Sequence, residues 1–143
     1  MADVAQESIV RIEPGFYSLQ SSEDEELPEY IQGKTAGSKL EARVALALEY
    51  YDIDYIYQYN FNGGNQIRGG QVIDFIAKTV PIWTPIYVQG EYWHSKKQEY
   101  EDTIKIREFA RATRSVFADP VVLRGKDLQT LDSAKLQIKE KVI

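Results

Sequence analysis

Val72-Ile73-Asp74-Phe75-Ile76 and Pro85-Ile86-Tyr87-Val88-Gln89-Gly90-Glu91-Tyr92-Trp93-His94 are two apolar runs separated by only a few residues. Their β-branched and aromatic content suits buried strands, so residues 72–78 and 85–88 are expected to be strands. The first run carries a carboxylate among apolar neighbours. The second ends on the only histidine of the chain.

Working outward, residues 54–61 are rich in tyrosine and isoleucine and read as a further strand, followed at once by the turn signal Asn62-Gly63-Gly64-Asn65. Ser38-Lys39-Leu40-Glu41 has the form of a capping box, and Leu40, Val44, Ala47, Leu48 and Tyr51 recur at helical spacing, which predicts a helix over 38–51. Ser95-Lys96-Lys97-Gln98 predicts a second, long and charged helix ending near Arg114. Val121-Val122-Leu123 reads as a short strand, and Asp127 or Asp132 as the cap of a terminal helix containing Leu136 and Ile138. The order αβββαβα implies an α/β fold around a small mixed sheet.

The 143 residues suffice for one domain with one core. Residues 1–30 hold eight acidic side chains against Arg11 alone, a balance of −7, whereas the rest carries 16 basic and 14 acidic residues. Residues 1–36, broken by Pro28 and Gly33, therefore read as an acidic arm or linker with room for a protein partner, and 37–143 as the α/β domain. The body is left free to face phosphates. The absence of cysteine excludes disulfides, thiolate metal sites and a cysteine nucleophile. No apolar stretch is long enough for a membrane span and the N-terminus is not a secretory signal, so a cytoplasmic protein is expected.

Asp74 is expected to be shielded from water, which costs several kcal/mol unless the carboxylate is paired or binds a cation. Backbone donors or Arg68 could provide the pairing; a metal could provide the alternative. His94 precedes a predicted helix N-terminus, whose dipole disfavours protonation and keeps the imidazole able to accept a proton or bind a metal. The stretch from Gly63 to Gly70 lacks the lysine of a nucleotide-phosphate loop and leads into a strand, so a hairpin with Arg68 at a phosphate is the expectation. Lys96, Lys97, Lys105, Arg107, Arg111 and Arg114 form a basic run along the second helix that suits contacts to a nucleic-acid backbone.

Glu41 in the first helix, Asp74 in Val-Ile-Asp-Phe, the Gly-x-x-Trp-His ending and Asp102 in the next helix resemble the PD-(D/E)XK nuclease superfamily. The closest branch holds very short patch repair endonucleases and homing endonucleases with an E, D, H, D residue set. The resemblance implies a restriction-endonuclease-like core and a Mg2+- (or Mn2+-) dependent endonuclease that nicks or cuts duplex or branched DNA, of phage or mobile-element kind. Carried over, Asp74 and the Val88 carbonyl would bind the metal and His94 would be the general base. Glu41 would hold water at the metal; Asp102 would orient His94 or bind that water. Arg68, Lys96, Lys97 and Lys105 would contact DNA. Tyr87-Val88-Gln89 stands where the wider superfamily has Glu-x-Lys, so the alternative is a non-cleaving structural or protein-binding module of a larger, phage-type assembly, virion-associated in that case.

Overall fold

Ser38 adopts an extended backbone and its Oγ accepts the Glu41 N–H at 3.1 Å, which starts a helix where the sequence places one. The computed structural model describes residues 2–3, 5–6, 26–64, 68, 70–90 and 96–143. In chain order the elements are β1 (Ala2–Asp3), β2 (Ala5–Gln6), β3 (Tyr30–Ile31), β4 (Lys34–Thr35), α1 (Lys39–Tyr50), β5 (Tyr55–Phe61), β6 (Gln71–Ala77) and β7 (Thr84–Gln89). They continue with α2 (Lys96–Thr113), β8 (Val121–Arg124), a 3-10 turn (Gly125–Asp127) and α3 (Leu131–Lys141). Among the described residues no helix is long and apolar enough to cross a membrane.

The main sheet has the order β5-β6-β7-β8. β5–β6 and β6–β7 are antiparallel, while β7–β8 is parallel, the connection between them being long enough to hold α2. Tyr57, Phe75, Ala77, Ile86 and Leu123 pack on one side with Val44, Ala47 and Leu48 of α1 and Ala134 and Ile138 of α3. Ile73, Ile76 and Tyr87 pack on the other with Phe109 of α2. The sheet is thus the middle of three layers, and the mixed α/β class read from the sequence is observed.

Strict alternation along a strand would put Ile73 on the same face as Phe75, and Tyr59 on the same face as Tyr57. Instead Phe75 and Tyr57 join the α1/α3 layer, while Ile73 and Tyr59 join the α2 layer. The pairing runs Tyr57↔Phe75 and then Tyr59↔Ile73, skipping Gln58 and Asp74 between them. Gln58 has a left-handed φ of 56°, which an L side chain adopts only against resistance. Both strands therefore change face at the level of Asp74.

What holds this bend is a hairpin that the sequence reading left inside the arm. Gln32 and Gly33 have φ of 52° and 81°, the two-positive-φ loop of a tight hairpin between β3 and β4. Ile31 is only 2% exposed and lies in the α1/α3 core. The Gln32 side-chain amide accepts the Tyr57 N–H at 2.8 Å and donates to the Tyr55 carbonyl at 2.5 Å, and Lys34 Nζ donates to the Tyr57 carbonyl at 3.3 Å. Side chains of the hairpin thereby occupy the free edge of β5.

A second correction concerns α3, whose N-cap is neither Asp127 nor Asp132. Thr130 caps it, with a reciprocal Thr130–Ser133 box, and Asp127 instead ends the 3-10 turn. The predicted cap of α2, Ser95, lies outside the described residues.

Candidate active site

The β6–β7 ladder runs Ala77↔Thr84, Ile76↔Pro85, Phe75↔Ile86 and then stops. Beyond it, the Val88 N–H donates to Asp74 Oδ2 at 2.7 Å, so a side chain takes a hydrogen bond that a regular ladder would give to backbone. The carboxylate fills the fork where the strands part. A strand residue sends its N–H and C=O from the same edge, so the Val88 carbonyl faces this fork as well.

Glu41 reaches the fork from the first turn of α1. Its sequence position suggests the return arm of a capping box, yet its carboxylate accepts the Tyr57 O–H instead. Tyr57 Oη in turn accepts the Gly37 N–H at 2.9 Å. Burial pushes the half-buried Asp74 carboxyl up to about 7, the Val88 N–H acts against that rise, and the Glu41 charge adds to it. The Tyr57 hydroxyl is pushed up to about 12, first by burial and then by its bond to Glu41. Burial also raises Tyr87, and the Asp74 charge raises it further.

On the α2 side the Tyr87 O–H donates to Gln71 Oε1 at 2.8 Å, and Gln71 Nε2 donates to the Lys105 carbonyl at 3.0 Å, tying α2 to the fork-bearing strands. A pocket of about 200 Å³ opens there, with Val88, Gln89, Asp102 and Lys105 in its wall. Asp102 accepts from Gln98 Nε2 at 2.9 Å. A larger depression of about 550 Å³ lies at the start of β5, lined by Glu49, Asp52, Asp54 and Lys78, but it contains no residue of the fork. The smaller pocket adjoins the fork through Val88, whose N–H binds Asp74.

The structure therefore brings together Glu41, Asp74 and Val88, with Asp102 across the adjoining pocket. His94 lies outside the described residues, as do Glu91 to Ser95. Arg68, Lys96, Lys97 and Lys105 are exposed. Lys105 departs from the other cations of the basic run: it borders the pocket, whereas Arg107, Arg111 and Arg114 face solvent farther along α2. None of these side chains makes an ion pair among the described residues. The sequence reading missed Tyr57 and Gly37, since a tyrosine in a tyrosine-rich strand and a glycine before a helix carry no signal of their own.

No group of three His, Asp or Glu side chains that could hold a metal occurs among the described residues. The donors present are two carboxylates and a main-chain oxygen, all hard oxygens, with no Lys or Arg paired to either carboxylate among the described residues. Magnesium commonly takes one or two carboxylates and keeps several waters, so these residues fit such an ion. No family model, curated protein or solved structure matches the chain.

Proposed function

We propose that this chain is a divalent-metal-dependent DNA endonuclease on a restriction-endonuclease-like core, hydrolysing phosphodiester bonds in duplex or branched DNA. One observation carries the reading: Asp74 is held in the fork between β6 and β7, half-buried, with the Glu41 charge raising its carboxyl further and no cationic side chain paired to it among the described residues. A fold keeps such an uncompensated pair at a cost, and perturbed carboxylates gather at functional sites. The order of strands and helices, with the long helix between two parallel strands, agrees with the core that the resemblance implies.

In this reading Asp74 and the Val88 carbonyl would hold Mg2+ or Mn2+, and Glu41 would hold water at the metal. When bound, the ion offsets the charge of the scissile phosphate and lowers the pKa of water. The resemblance gives His94 the role of general base for the attacking water, and gives Asp102 that of orienting His94 or binding water at the metal. A divalent ion there would also offset the repulsion between the carboxylates and a phosphate. Lys105 at the pocket and Lys96 and Lys97 at the start of α2 draw in the DNA backbone, with Arg68 contacting it from the β5–β6 connection.

Gln89, at the place of the superfamily lysine, favours a second reading in which the fold is kept for protein contacts within a larger assembly. Incubation of supercoiled plasmid and branched DNA with the protein and Mg2+ or Mn2+ separates the two. Cleavage that falls by orders of magnitude in Asp74→Asn, with thermal unfolding still cooperative, supports the nuclease. A protein that cuts neither substrate with any divalent ion belongs to the second reading.

A further inference from the structure

We infer that Tyr57 is a positioning residue: its hydroxyl, fixed by the Gly37 N–H, holds the Glu41 carboxylate toward Asp74 so that the two together present a divalent-cation site. The inference rests on the metal site proposed above and names the residues that build it.

Left to itself, Glu41 has two reasons to turn away. Like charges repel, and a glutamate three residues after a helix-capping serine can reach back to the cap. Three rotatable bonds make either escape easy. The structure closes both routes. The Tyr57 O–H binds Glu41 Oε1, and the carboxylate also lies against Gly37, where an added Cβ would stand 2.7 Å from Oε1 and 3.0 Å from Oε2. Gly37 has no left-handed φ, so its lack of a side chain serves the space that the carboxylate fills.

Tyr57 can act as a clamp because it cannot move. It is 1% exposed, its ring lies against Phe75 at 5.1 Å between centroids, and its main chain is held by Gln32 at 2.8 Å and Lys34 at 3.3 Å. The constraint runs from the β3–β4 hairpin through Tyr57 to Glu41.

The test is Mn2+ binding by calorimetry on the full-length protein, with Tyr57→Phe, Gly37→Ala, Glu41→Gln and the Tyr57→Phe/Glu41→Gln double variant. Phenylalanine keeps the ring and its packing. Alanine at 37 displaces only the end of a flexible side chain, leaving Tyr57 and the fold intact. Tyr57→Phe and Gly37→Ala are each expected to bind Mn2+ roughly 10–100-fold more weakly, the range for residues that orient metal ligands. The double variant is expected to bind no more weakly than Glu41→Gln alone. Tyr57→Phe binding Mn2+ as the parent does, or losses that multiply in the double variant, would overturn the inference. If Tyr57→Phe unfolds, Gly37→Ala decides by the same criterion. A parent that binds Mn2+ but cuts no DNA defeats the nuclease reading and leaves this one standing; a parent that cuts DNA while Tyr57→Phe binds Mn2+ normally defeats this one alone. A parent that binds no Mn2+ defeats both.

Discussion

Asp74 is where burial and charge conflict most in this molecule. Its carboxyl is raised from 3.8 to about 7, so the folded chain holds the proton more tightly than the unfolded chain does. The sign follows directly: stability is greatest below the unfolded value, declines as pH rises from about 4 to about 7, and levels off above that. At roughly 1.4 kcal/mol per pH unit the ceiling is about 4 kcal/mol, and water at the half-buried side chain reduces it. Asp74→Asn keeps an acceptor for the Val88 N–H but cannot ionise, so without divalent ions it is expected to exceed the parent in stability near pH 8 and to lack the decline. Denaturant unfolding across pH 4–8 measures this directly. Mg2+ added at the upper end should stabilise the parent and leave the variant unchanged, by mass action on the folded state. Parallel pH curves for the two proteins would show that the charge at Asp74 carries no conformational cost.

Most elements were legible because each has a local signature. The helix expected over 38–51 spans Lys39–Tyr50, the strand expected over 72–78 spans Gln71–Ala77, and the long helix ends at Thr113 beside the expected Arg114. Asp74 itself was legible from its apolar flanks. The β3–β4 hairpin was not, since strands of two residues show no alternation and Gln32-Gly33 is a weaker turn signal than Asn-Gly. The bond between Glu41 and Tyr57 was not legible, because the two residues stand 16 apart in sequence. Substitutions at Gln32 test the hairpin's part in holding β5. Gln32→Ala loses both edge hydrogen bonds and keeps an unfavourable φ, for an expected loss of about 1–2 kcal/mol. Gln32→Gly loses the same bonds but relieves the φ of 52°, so it should destabilise less in thermal unfolding. An alanine variant as stable as the parent would remove the edge role. On α2, neutralising Lys96 and Lys97 is expected to lower the slope of log K against log salt for DNA binding by up to about 1.8, or 0.9 per phosphate contact. An unchanged slope in a salt titration would remove α2 from the proposed DNA interface.

At the scale of the whole molecule, the charge reading and the packing divide the N-terminal region differently. Composition sets residues 1–36 apart as an acidic arm, yet the described part of that stretch contributes to the body. Ile31 is in the core, Ala36 packs against it and its N–H donates to the Glu29 carbonyl at 2.8 Å. The packed body therefore includes the stretch from Glu29 onward, since its hairpin holds the bend at Gln58 and, through Tyr57, the Glu41 carboxylate. Two truncations separate composition from packing. Removal of residues 1–26 takes away most of the acidic excess, and the remaining chain is expected to unfold cooperatively and bind Mn2+ as the full chain does. Removal of residues 1–37 deletes Ile31, Gln32, Lys34 and Gly37 while sparing the Ser38 cap. Burial of one isoleucine is worth about 1.5–3 kcal/mol and the lost edge bonds about 1–2 kcal/mol more, a large part of the 5–15 kcal/mol typical of a domain. This shorter chain is therefore expected to lose several kcal/mol in denaturant unfolding and to bind Mn2+ more weakly even where it stays folded. Equal stability and Mn2+ affinity in the two truncations would return the hairpin to the arm and leave Glu41 positioned by α1 alone.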